Sequence, residues 1–353
     1  MKTVLVMAGG TGGHIFPGLA VAEELHGKGW RIVWLGHPDG MEAQLIPRHG
    51  YEQAWMRFSA LRGKGIMRKL ALPLNLCRGL WQAYGVLRRI RPDVVLGMGG
   101  YVTFPAGLMA VMMRRPLVVH EQNALPGLAN KTLARVAAKI LSGFPGALPA
   151  AQWVGNPVRK EIAQLPDPSE RYRARQGRLR LLVVGGSLGA LKLNQTVPEA
   201  LARIPVAQRP VVVHQSGQKN IDELKQCYQQ HGVEATLLPF IEDMAHQLAE
   251  ADIVISRAGA LTVAELAAAG VAGVLVPYPH AVDDHQTANA RFLVDTGGAV
   301  LMPQSELTAE GLARWLVNTD RERLMHMAQQ ARAQAKPQAA EDVAQICEAL
   351  AAK

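Results

Sequence analysis

The chain has 353 residues, of which 49% are apolar and 19% are charged. This composition excludes an intrinsically disordered chain, and the length predicts about two domains. The net charge of +9 is uneven: residues 1–160 carry 20 Lys/Arg and 7 Asp/Glu, a net +13, whereas the remainder carries 18 and 22, a net −4. Charge alone leaves nucleic acid, anionic lipid and a phosphorylated substrate open as partners of the basic half. The low aromatic content of 5% and the lack of a recognisable nucleic-acid module favour the last two, so no nucleic acid is expected.

The cysteines and the apolar segments predict a chain that stays in a reducing compartment and does not cross a membrane. Cys77, Cys227 and Cys347 are too widely spaced to indicate a disulfide framework or a metal cluster. Glycines interrupt the apolar run at the N-terminus, which favours a first β-strand over a signal peptide. The most apolar stretch, 266–279, is also interrupted and falls short of the roughly 18 residues that a membrane span needs.

Short β-branched runs alternate with helical segments along the whole chain, which predicts parallel sheets. Prolines and charged residues interrupt this pattern between Gly155 and Gly177, where we place the domain boundary. The expected domains are 1–158 and 159–353, with a final helix that could pack on the first domain. The predicted strands are 3–7, 31–35, 93–96, 117–120, 179–184, 210–214, 236–238, 253–255 and 273–276.

Three glycine-rich loops follow predicted strands and precede predicted helices: 9–14, 97–101 and 185–190. Glycines in this position let backbone N–H groups approach a phosphate at a helix N-terminus, where the helix dipole also favours an anion. A single loop of this kind often serves only close packing. Three loops, divided between two domains, indicate a phosphate-rich ligand in each domain.

A nicotinamide dehydrogenase would have similar loops, but no acidic residue ends the second strand, where a ribose-binding carboxylate is expected. In the second half, the loop 256–259 precedes a helix that carries Glu265 one turn in. Glu265 could accept two ribose hydroxyls, or it could simply complement the helix dipole. Asp283 and Asp284 beside His285 suggest a metal site, but both are also ordinary helix N-cap residues, and we expect no metal.

Taken together, these segments resemble the MurG family, the N-acetylglucosaminyltransferases that convert lipid I into lipid II in peptidoglycan synthesis. The resemblance runs nearly end to end, and the joint order of its motifs is far more specific than any one loop. The motifs are GGTGGHIFPGLAVA (9–22), GMGGYVTFPAGLMA (97–110), HEQNALPGLANK (120–131), GNPVR (155–159), GGSLGA (185–190), SRAGALTVAELAAAG (256–270) and DDHQTANA (283–290).

This resemblance implies a GT-B fold, with two Rossmann-like α/β domains whose parallel sheets face a central cleft, and inverting transfer without a cofactor or metal. It implies that the C-terminal domain binds UDP-GlcNAc and that the N-terminal domain binds lipid I, with Gly99, Gly100 and Tyr101 on the acceptor. His285 departs from the pattern of the family, since some relatives have a second glutamine at this position. The expected donor contacts are Thr11, Gly12, Gly13, Asn123, Arg159, Ser187, Ile241, Ala260, Leu261, Thr262, Val263, Ala264, Glu265, Gln286 and Asn289.

Inverting transfer requires a base for the acceptor hydroxyl, and a histidine suits this task near neutral pH. His14, at the end of the first glycine loop, is the leading candidate, although it could instead donate a hydrogen bond to a phosphate. His120 and Glu121 are the alternatives.

The segment 61–74 interleaves basic and aliphatic residues, and we predict that Ile66, Met67 and Leu70 enter an anionic membrane surface. The alternative is a loop that leads into an ordinary amphipathic helix. The resemblance places the enzyme peripherally on the cytoplasmic face of the bacterial inner membrane, and it allows other cell-wall or division proteins as partners.

Three other functions remain open from the sequence. Another GT-B transferase, such as one acting on diacylglycerol, should diverge at the two N-terminal glycine loops, which match here. A UDP-GlcNAc 2-epimerase would release free sugar without an acceptor. A nucleotide-sugar sensor would leave the acceptor-side loops without a purpose.

Overall fold

A computed structural model describes residues 1–58, 72–186 and 189–352 of the chain. Its contacts divide the chain into two compact units. The first comprises the described residues of Met1–Arg159 and Gln338–Lys353, and the second comprises those of Lys160–Pro337. Each unit is built around one parallel β-sheet. No helix within the described residues is both long and apolar enough to span a membrane.

The sheet of the first unit has seven parallel strands in the order β3-β2-β1-β4-β5-β6-β7. The central strands β1 and β4 are buried along their whole length, as expected for strands with both faces covered. The strands are β1 (Thr3–Ala8), β2 (Arg31–Gly36), β3 (Glu52–Trp55), β4 (Val94–Gly99), β5 (Leu117–Glu121), β6 (Lys139–Ser142) and β7 (Gln152–Trp153).

Helices cover both faces of this sheet, so alternate residues of β1 enter two different core clusters. Val4 and Val6 pack with Val343 and Cys347 of the C-terminal helix on one face, whereas Leu5 is part of the other cluster. The C-terminal helix therefore belongs to the core of the first unit. The helices are α1 (Gly12–Gly27), α2 (Glu42–Leu45), α3 (Leu72–Ile90), α4 (Thr103–Met112), α5 (Leu128–Leu133) and the C-terminal Ala339–Ala351, with a 3₁₀ turn at Ile46–His49.

The sheet of the second unit has six parallel strands in the order β10-β9-β8-β11-β12-β13. Strand β11 is buried throughout and lies between β8 and β12. The strands are β8 (Arg180–Val184), β9 (Val211–Gln215), β10 (Thr236–Leu238), β11 (Ile253–Ser256), β12 (Ala272–Leu275) and β13 (Ala299–Leu301).

The helices of the second unit also pack on the sheet, around a core that includes Val183, Ile255 and Val274. They are α6 (Lys160–Ala163), α7 (Pro168–Arg173), α8 (Leu191–Ala202), α9 (Ile221–Gln230), α10 (Met244–Glu250), α11 (Ala260–Ala269), α12 (His285–Val294), α13 (Ala309–Val317) and α14 (Arg321–Ala333), with a 3₁₀ turn at Val282–Asp284. The C-terminal helix of the chain is α15. The prediction of two Rossmann-like domains with parallel sheets is confirmed.

Candidate functional site

The order of strands reverses next to the first strand in each sheet, between β1 and β4 in the first unit and between β8 and β11 in the second. Ligands of open α/β sheets bind at such a switch point, outside the carboxyl ends of the strands. All three glycine-rich loops predicted from the sequence follow strands at these two points: β1, β4 and β8. The fold therefore supplies one candidate site in each unit.

In the first unit, the loops after β1 and β4 lie against each other. Gly99 and Gly100 have positive φ angles of 110° and 94°, a region that other residues rarely adopt. A Cβ on Gly100 would lie 2.5 Å from the carbonyl oxygen of Gly9, and a Cβ on Gly99 would lie 2.9 Å from Nε2 of His14. The glycines are therefore required both by the backbone conformation and by the close approach of the two loops.

His14 lies in the first turn of α1 and is partly buried between these loops. Its Nδ1 is 3.2 Å from the carbonyl oxygen of Gly9 and 3.4 Å from the hydroxyl of Thr11. Because a carbonyl oxygen only accepts, the contact with Gly9 requires the proton on Nδ1. A neutral ring then has its lone pair on Nε2, which is the form that a general base needs.

His120, the second candidate base, is completely buried at the end of β5. Its Nε2 donates to the carbonyl oxygen of Gly155 over 2.9 Å, and its Nδ1 lies 3.1 Å from the amide nitrogen of Gln122. Burial lowers the pKa of His120 to about 4, so the ring is neutral. These contacts favour a structural role that ties β5 to the segment at Gly155.

Glu121, the third candidate, is also buried, and its carboxylate holds the loop that follows β5. It accepts hydrogen bonds from the backbone N–H groups of Asn123 (2.9 Å) and Gly127 (3.1 Å) and from the side chain of Asn130 (3.0 Å). The side-chain amide of Asn123 is a further donor, at 3.3 Å. This pattern favours a role in shaping the loop, because the lone pairs of the carboxylate are largely occupied.

Other predicted residues of the first unit lie around the same carboxyl edge of the sheet. Thr11 is exposed at the N-cap of α1, which begins with Gly12 and Gly13. Tyr101 is half exposed in the loop after β4. The guanidinium of Arg159 lies over the ring of Phe16 on α1, 5.5 Å from its centroid, so a cation–π contact holds Arg159 beside this helix.

In the second unit, the side chain of Gln215 at the end of β9 holds the glycine loop after β8. Its Oε1 accepts from the N–H of Gly186 at 3.1 Å, and its Nε2 donates to the carbonyl oxygens of Gly186 (3.0 Å) and Pro239 (3.2 Å). Ser187, predicted to approach the diphosphate, lies outside the described residues.

Helix α11 begins directly after the loop at the end of β11, and its first-turn N–H groups have no carbonyl partner within the helix. Glu265 follows in the second turn and is 7% exposed. Ile241 is buried in the segment after β10. The residues predicted to line the nucleotide, Ala260, Leu261, Thr262, Val263 and Ala264, form the N-terminal half of α11. Such a helix N-terminus suits an anion.

Arg257 fixes the end of β11 against the neighbouring strand. Its guanidinium donates to the carbonyl oxygens of Val276 (3.2 Å) and Pro277 (3.1 Å) and to the side chain of Gln304 (2.6 Å). Burial lowers the pKa of Arg257 from its ordinary value. These bonds hold the loop from which α11 starts.

At the start of α12, Asp284 occupies the N-cap position, as expected for one of the two aspartates, but its side chain makes no cap bond to the backbone. Asp283 and Asp284 also have left-handed φ angles of 54° and 52°, which the sequence did not predict. Asp284 instead accepts from the hydroxyl of Thr287 at 2.7 Å. This strained backbone turns the chain sharply before α12.

Two predicted sugar contacts lie on α12 and have protein partners. Oε1 of Gln286 accepts from the N–H of Tyr278 at 2.8 Å, which orients its amide. Asn289 is completely buried and donates to the carbonyl oxygen of Ala258 at 3.2 Å, so it braces the loop before α11.

Sequence reasoning did not identify Glu42, Gln215 or Arg257. Glu42 lies on α2 and accepts from the N–H of Gly10 in the first glycine loop. The only local sign in the sequence is a carboxylate that follows Gly36 and Gly40. It does not reveal the role of Glu42, because the glycine that Glu42 contacts lies 32 residues earlier in the chain.

The predicted membrane residues Ile66, Met67 and Leu70 lie outside the described residues.

Comparisons with known proteins agree with this geometry. Residues 4–142 match the glycosyltransferase family 28 N-terminal domain, and residues 180–345 match the glycosyltransferase family 28 C-terminal domain. A protein of Aromatoleum aromaticum is 66% identical over 352 residues, covering 100% of this chain and 99% of its own length. A protein of Azoarcus sp. is 65% identical and covers 99% of each chain. Both are named UDP-N-acetylglucosamine--N-acetylmuramyl-(pentapeptide) pyrophosphoryl-undecaprenol N-acetylglucosamine transferase.

Solved structures give the same result. The crystal structure of MurG from Acinetobacter baumannii is 40% identical, with a TM-score of 0.85, and covers 99% of this chain and 100% of its own. A UDP-GlcNAc 2-epimerase from Neisseria meningitidis has a TM-score of 0.67 and covers 98% of this chain and 99% of its own. Its sequence identity is only 13%, so this similarity shows the fold alone. The sequence-based resemblance and the enzyme class are thereby confirmed: this chain belongs to glycosyltransferase family 28 and, within it, to the MurG family of N-acetylglucosamine transferases.

Proposed function

We propose that this enzyme transfers N-acetylglucosamine from UDP-GlcNAc to the 4-hydroxyl of the N-acetylmuramyl group of lipid I, giving lipid II and UDP with inversion at the anomeric carbon. The names of relatives that are 66% and 65% identical over the whole chain support the donor and the acceptor. The observation that carries the chemistry is the contact of His14 Nδ1 with Gly9, at the switch point of the first sheet.

The second unit binds the donor in this proposal. The glycine loop after β8 and the N-terminus of α11 follow neighbouring strands, so both lie at the carboxyl edge of the second sheet, where the first-turn N–H groups of α11 can bind a diphosphate. These groups stabilise the negative charge that collects on UDP as the glycosidic bond breaks. Glu265, in the next turn of α11, accepts hydrogen bonds from the ribose hydroxyls.

The first unit supplies the base. Nε2 of His14 takes the proton from the acceptor hydroxyl while the hydroxyl oxygen forms a bond to the anomeric carbon and the bond from that carbon to the UDP oxygen breaks. The proton ends on His14, and the electron pair of the broken bond ends on UDP. The loops after β1 and β4 and the loop held by Glu121 surround the acceptor.

Product analysis tests this proposal. The full-length protein is incubated with UDP-GlcNAc labelled in the sugar and with a water-soluble lipid I analogue. We expect a disaccharide product with a β(1→4) linkage, identified by the proton coupling at the anomeric carbon. An α linkage, or a labelled sugar at another hydroxyl, would refute the proposed reaction.

We also propose that the first unit binds an anionic membrane surface, where the lipid-linked acceptor resides. The described residues that follow the predicted membrane segment support this proposal. On α3, Leu74 and Trp81 are each 76% exposed, and Arg78 lies between them at helical spacing. Tyr84 of α3 and Trp55 of β3 are also exposed. Aromatic side chains beside arginines favour the interface of an anionic bilayer.

Helix α3 also carries Arg88 and Arg89 in its last turn. Each basic residue near an anionic surface contributes about 1 kcal/mol, so binding should be reversible and sensitive to salt. This attachment leaves the chain on one side of the bilayer.

A further inference from the structure

We infer that Glu42 is a positioning residue for catalysis: it acts through the peptide group between Gly9 and Gly10 and holds His14 in the form that accepts a proton at Nε2. The inference rests on the proposed role of His14 as the base.

Glu42 begins the short helix α2, after β2, and its carboxylate is buried, with 1% of the residue exposed. Oε1 accepts from the N–H of His37 at 2.8 Å, and Oε2 accepts from the N–H of Gly10 at 3.2 Å. Both oxygens are therefore bonded to backbone N–H groups, which offset the cost of burying a carboxylate.

Three glycines make room for this carboxylate. A Cβ on Gly9, Gly36 or Gly40 would overlap the side chain of Glu42. These glycines come from the loop after β1, the end of β2 and the turn before α2. Since each leaves space at the same side chain, the local structure is arranged around Glu42.

The hydrogen bonds of Glu42 and His14 meet on one peptide group. The N–H of Gly10 donates to Glu42, and the carbonyl oxygen that precedes this N–H, that of Gly9, lies 3.2 Å from Nδ1 of His14. In a trans peptide the N–H and the C=O point in opposite directions, and the chain has no cis peptide bonds among its described residues. The three groups thus form a continuous chain: carboxylate, peptide, imidazole.

Hydrogen bonds in such a chain polarise one another. A carboxylate that accepts from the N–H increases the negative charge on the carbonyl oxygen of Gly9. That oxygen then accepts more strongly from Nδ1–H of His14, which favours the tautomer with its lone pair on Nε2. The same negative charge stabilises the imidazolium that forms when the acceptor hydroxyl loses its proton. Glu42 therefore prepares the base without touching the substrate.

Two single variants and their double variant separate this role from simple support of the loop. Glu42→Gln keeps the size of the side chain and removes its charge, and His14→Gln removes the base. The single variants and the double variant are compared in turnover with UDP-GlcNAc and a soluble lipid I analogue. Glu23→Gln is the matched control, since Glu23 is a half-exposed carboxylate on α1 that pairs with His49.

We expect Glu42→Gln to lower kcat about 10-fold, the smaller end of the losses that follow removal of a partner of a metal-bound histidine, while the donor KM stays unchanged. In the His14→Gln background, Glu42→Gln should lower kcat no further, because the two residues act as a unit. An equal loss in both backgrounds, or no loss in either, would overturn the inference. Near-parental turnover of His14→Gln would instead overturn the base assignment in the proposed function.

Nitrogen NMR of the parent protein, labelled at histidine, tests the inference even where Glu42→Gln folds poorly. The His14 signals are identified from their absence in His14→Gln. We expect neutral His14 to carry its proton on Nδ1, and we expect Glu42→Gln to reduce the population of this tautomer. A parent in which the proton resides mainly on Nε2 would overturn the inference.

Discussion

Gly99→Ala should impair catalysis far more than its effect on stability would explain. The φ angle of Gly99 is +110°, which costs an alanine about 1–3 kcal/mol. The added Cβ would also lie 2.8 Å from Cδ2 and 2.9 Å from Nε2 of His14, whereas carbon atoms in contact are about 3.5–4.0 Å apart. The imidazole of His14 must therefore shift by about 0.5–1 Å to restore a normal contact distance.

A displacement of about 1 Å at a catalytic group costs up to about 100-fold in rate, so we expect kcat to fall by roughly 10- to 100-fold. Gly29→Ala is the matched control. Gly29 also has a positive φ, +80°, but an added Cβ would contact nothing within 4 Å. Both variants should lose free energy of unfolding in urea because of the positive φ, Gly99→Ala the more because of its contact with His14, and only Gly99→Ala should lose turnover.

UDP affinity, measured by calorimetry, should stay unchanged in Gly99→Ala, because the proposed donor residues of the second unit are untouched. If Gly99→Ala and Gly29→Ala both retain the turnover of the parent protein, His14 does not act where we propose. If both lose turnover equally, backbone strain rather than displacement of the imidazole is the cause.

Glu265, His214 and helix α3 can each be tested by substitution. Glu265→Gln should weaken UDP binding in calorimetry by about 1.5–3 kcal/mol for each charge-assisted bond to the ribose that is lost, and unchanged affinity would exclude that contact. Burial lowers the pKa of His214 from an ordinary 6.5 to about 3, so the free energy of unfolding that its neutral form contributes is complete above pH 6.5 and falls by about 1.4 kcal/mol per pH unit between pH 6.5 and 3. In urea titrations at several pH values, His214→Gln should remove this contribution, which corresponds to one proton, from the pH dependence of the free energy of unfolding. The double variant Leu74→Ser, Trp81→Ser should sediment less with anionic vesicles, whereas Val206→Ser, which changes an exposed residue of the second unit, should sediment like the parent protein. Equal sedimentation of the parent protein and both variants would refute the membrane contact on α3.

The central strands of both sheets could be predicted from sequence because they are buried on both faces and form nearly continuous apolar runs. The predicted strands 3–7 and 253–255 correspond to the buried strands β1 and β11, with bounds that agree within one residue. Strands β3, β6, β7 and β13 were missed. Strands β3 and β7 lie at the edges of the first sheet and contain polar residues such as Glu52 and Gln152, which do not give an apolar run. Strands β6 and β13 have only four and three residues.

The glycine loops could be predicted because a positive φ and close backbone contact leave few alternatives to glycine. The contacts of Glu42 and Gln215 with these loops could not be predicted from the sequence. Each side chain reaches a glycine loop that is about 30 residues away in the chain, at distances set by strand pairing. The strained turn at Asp283 and Asp284 was missed for a different reason: both residues are common N-caps, and their left-handed backbone has no local sequence signal.

The proposed transfer reaction makes UDP release depend on the acceptor. UDP release from UDP-GlcNAc is followed with and without a lipid I analogue, and free sugars are analysed in parallel. We expect rapid release of UDP only with the analogue, with one GlcNAc transferred for each UDP formed. Equal release of UDP without the analogue, together with free sugar, would refute the transfer reaction and indicate the chemistry of an epimerase or a hydrolase.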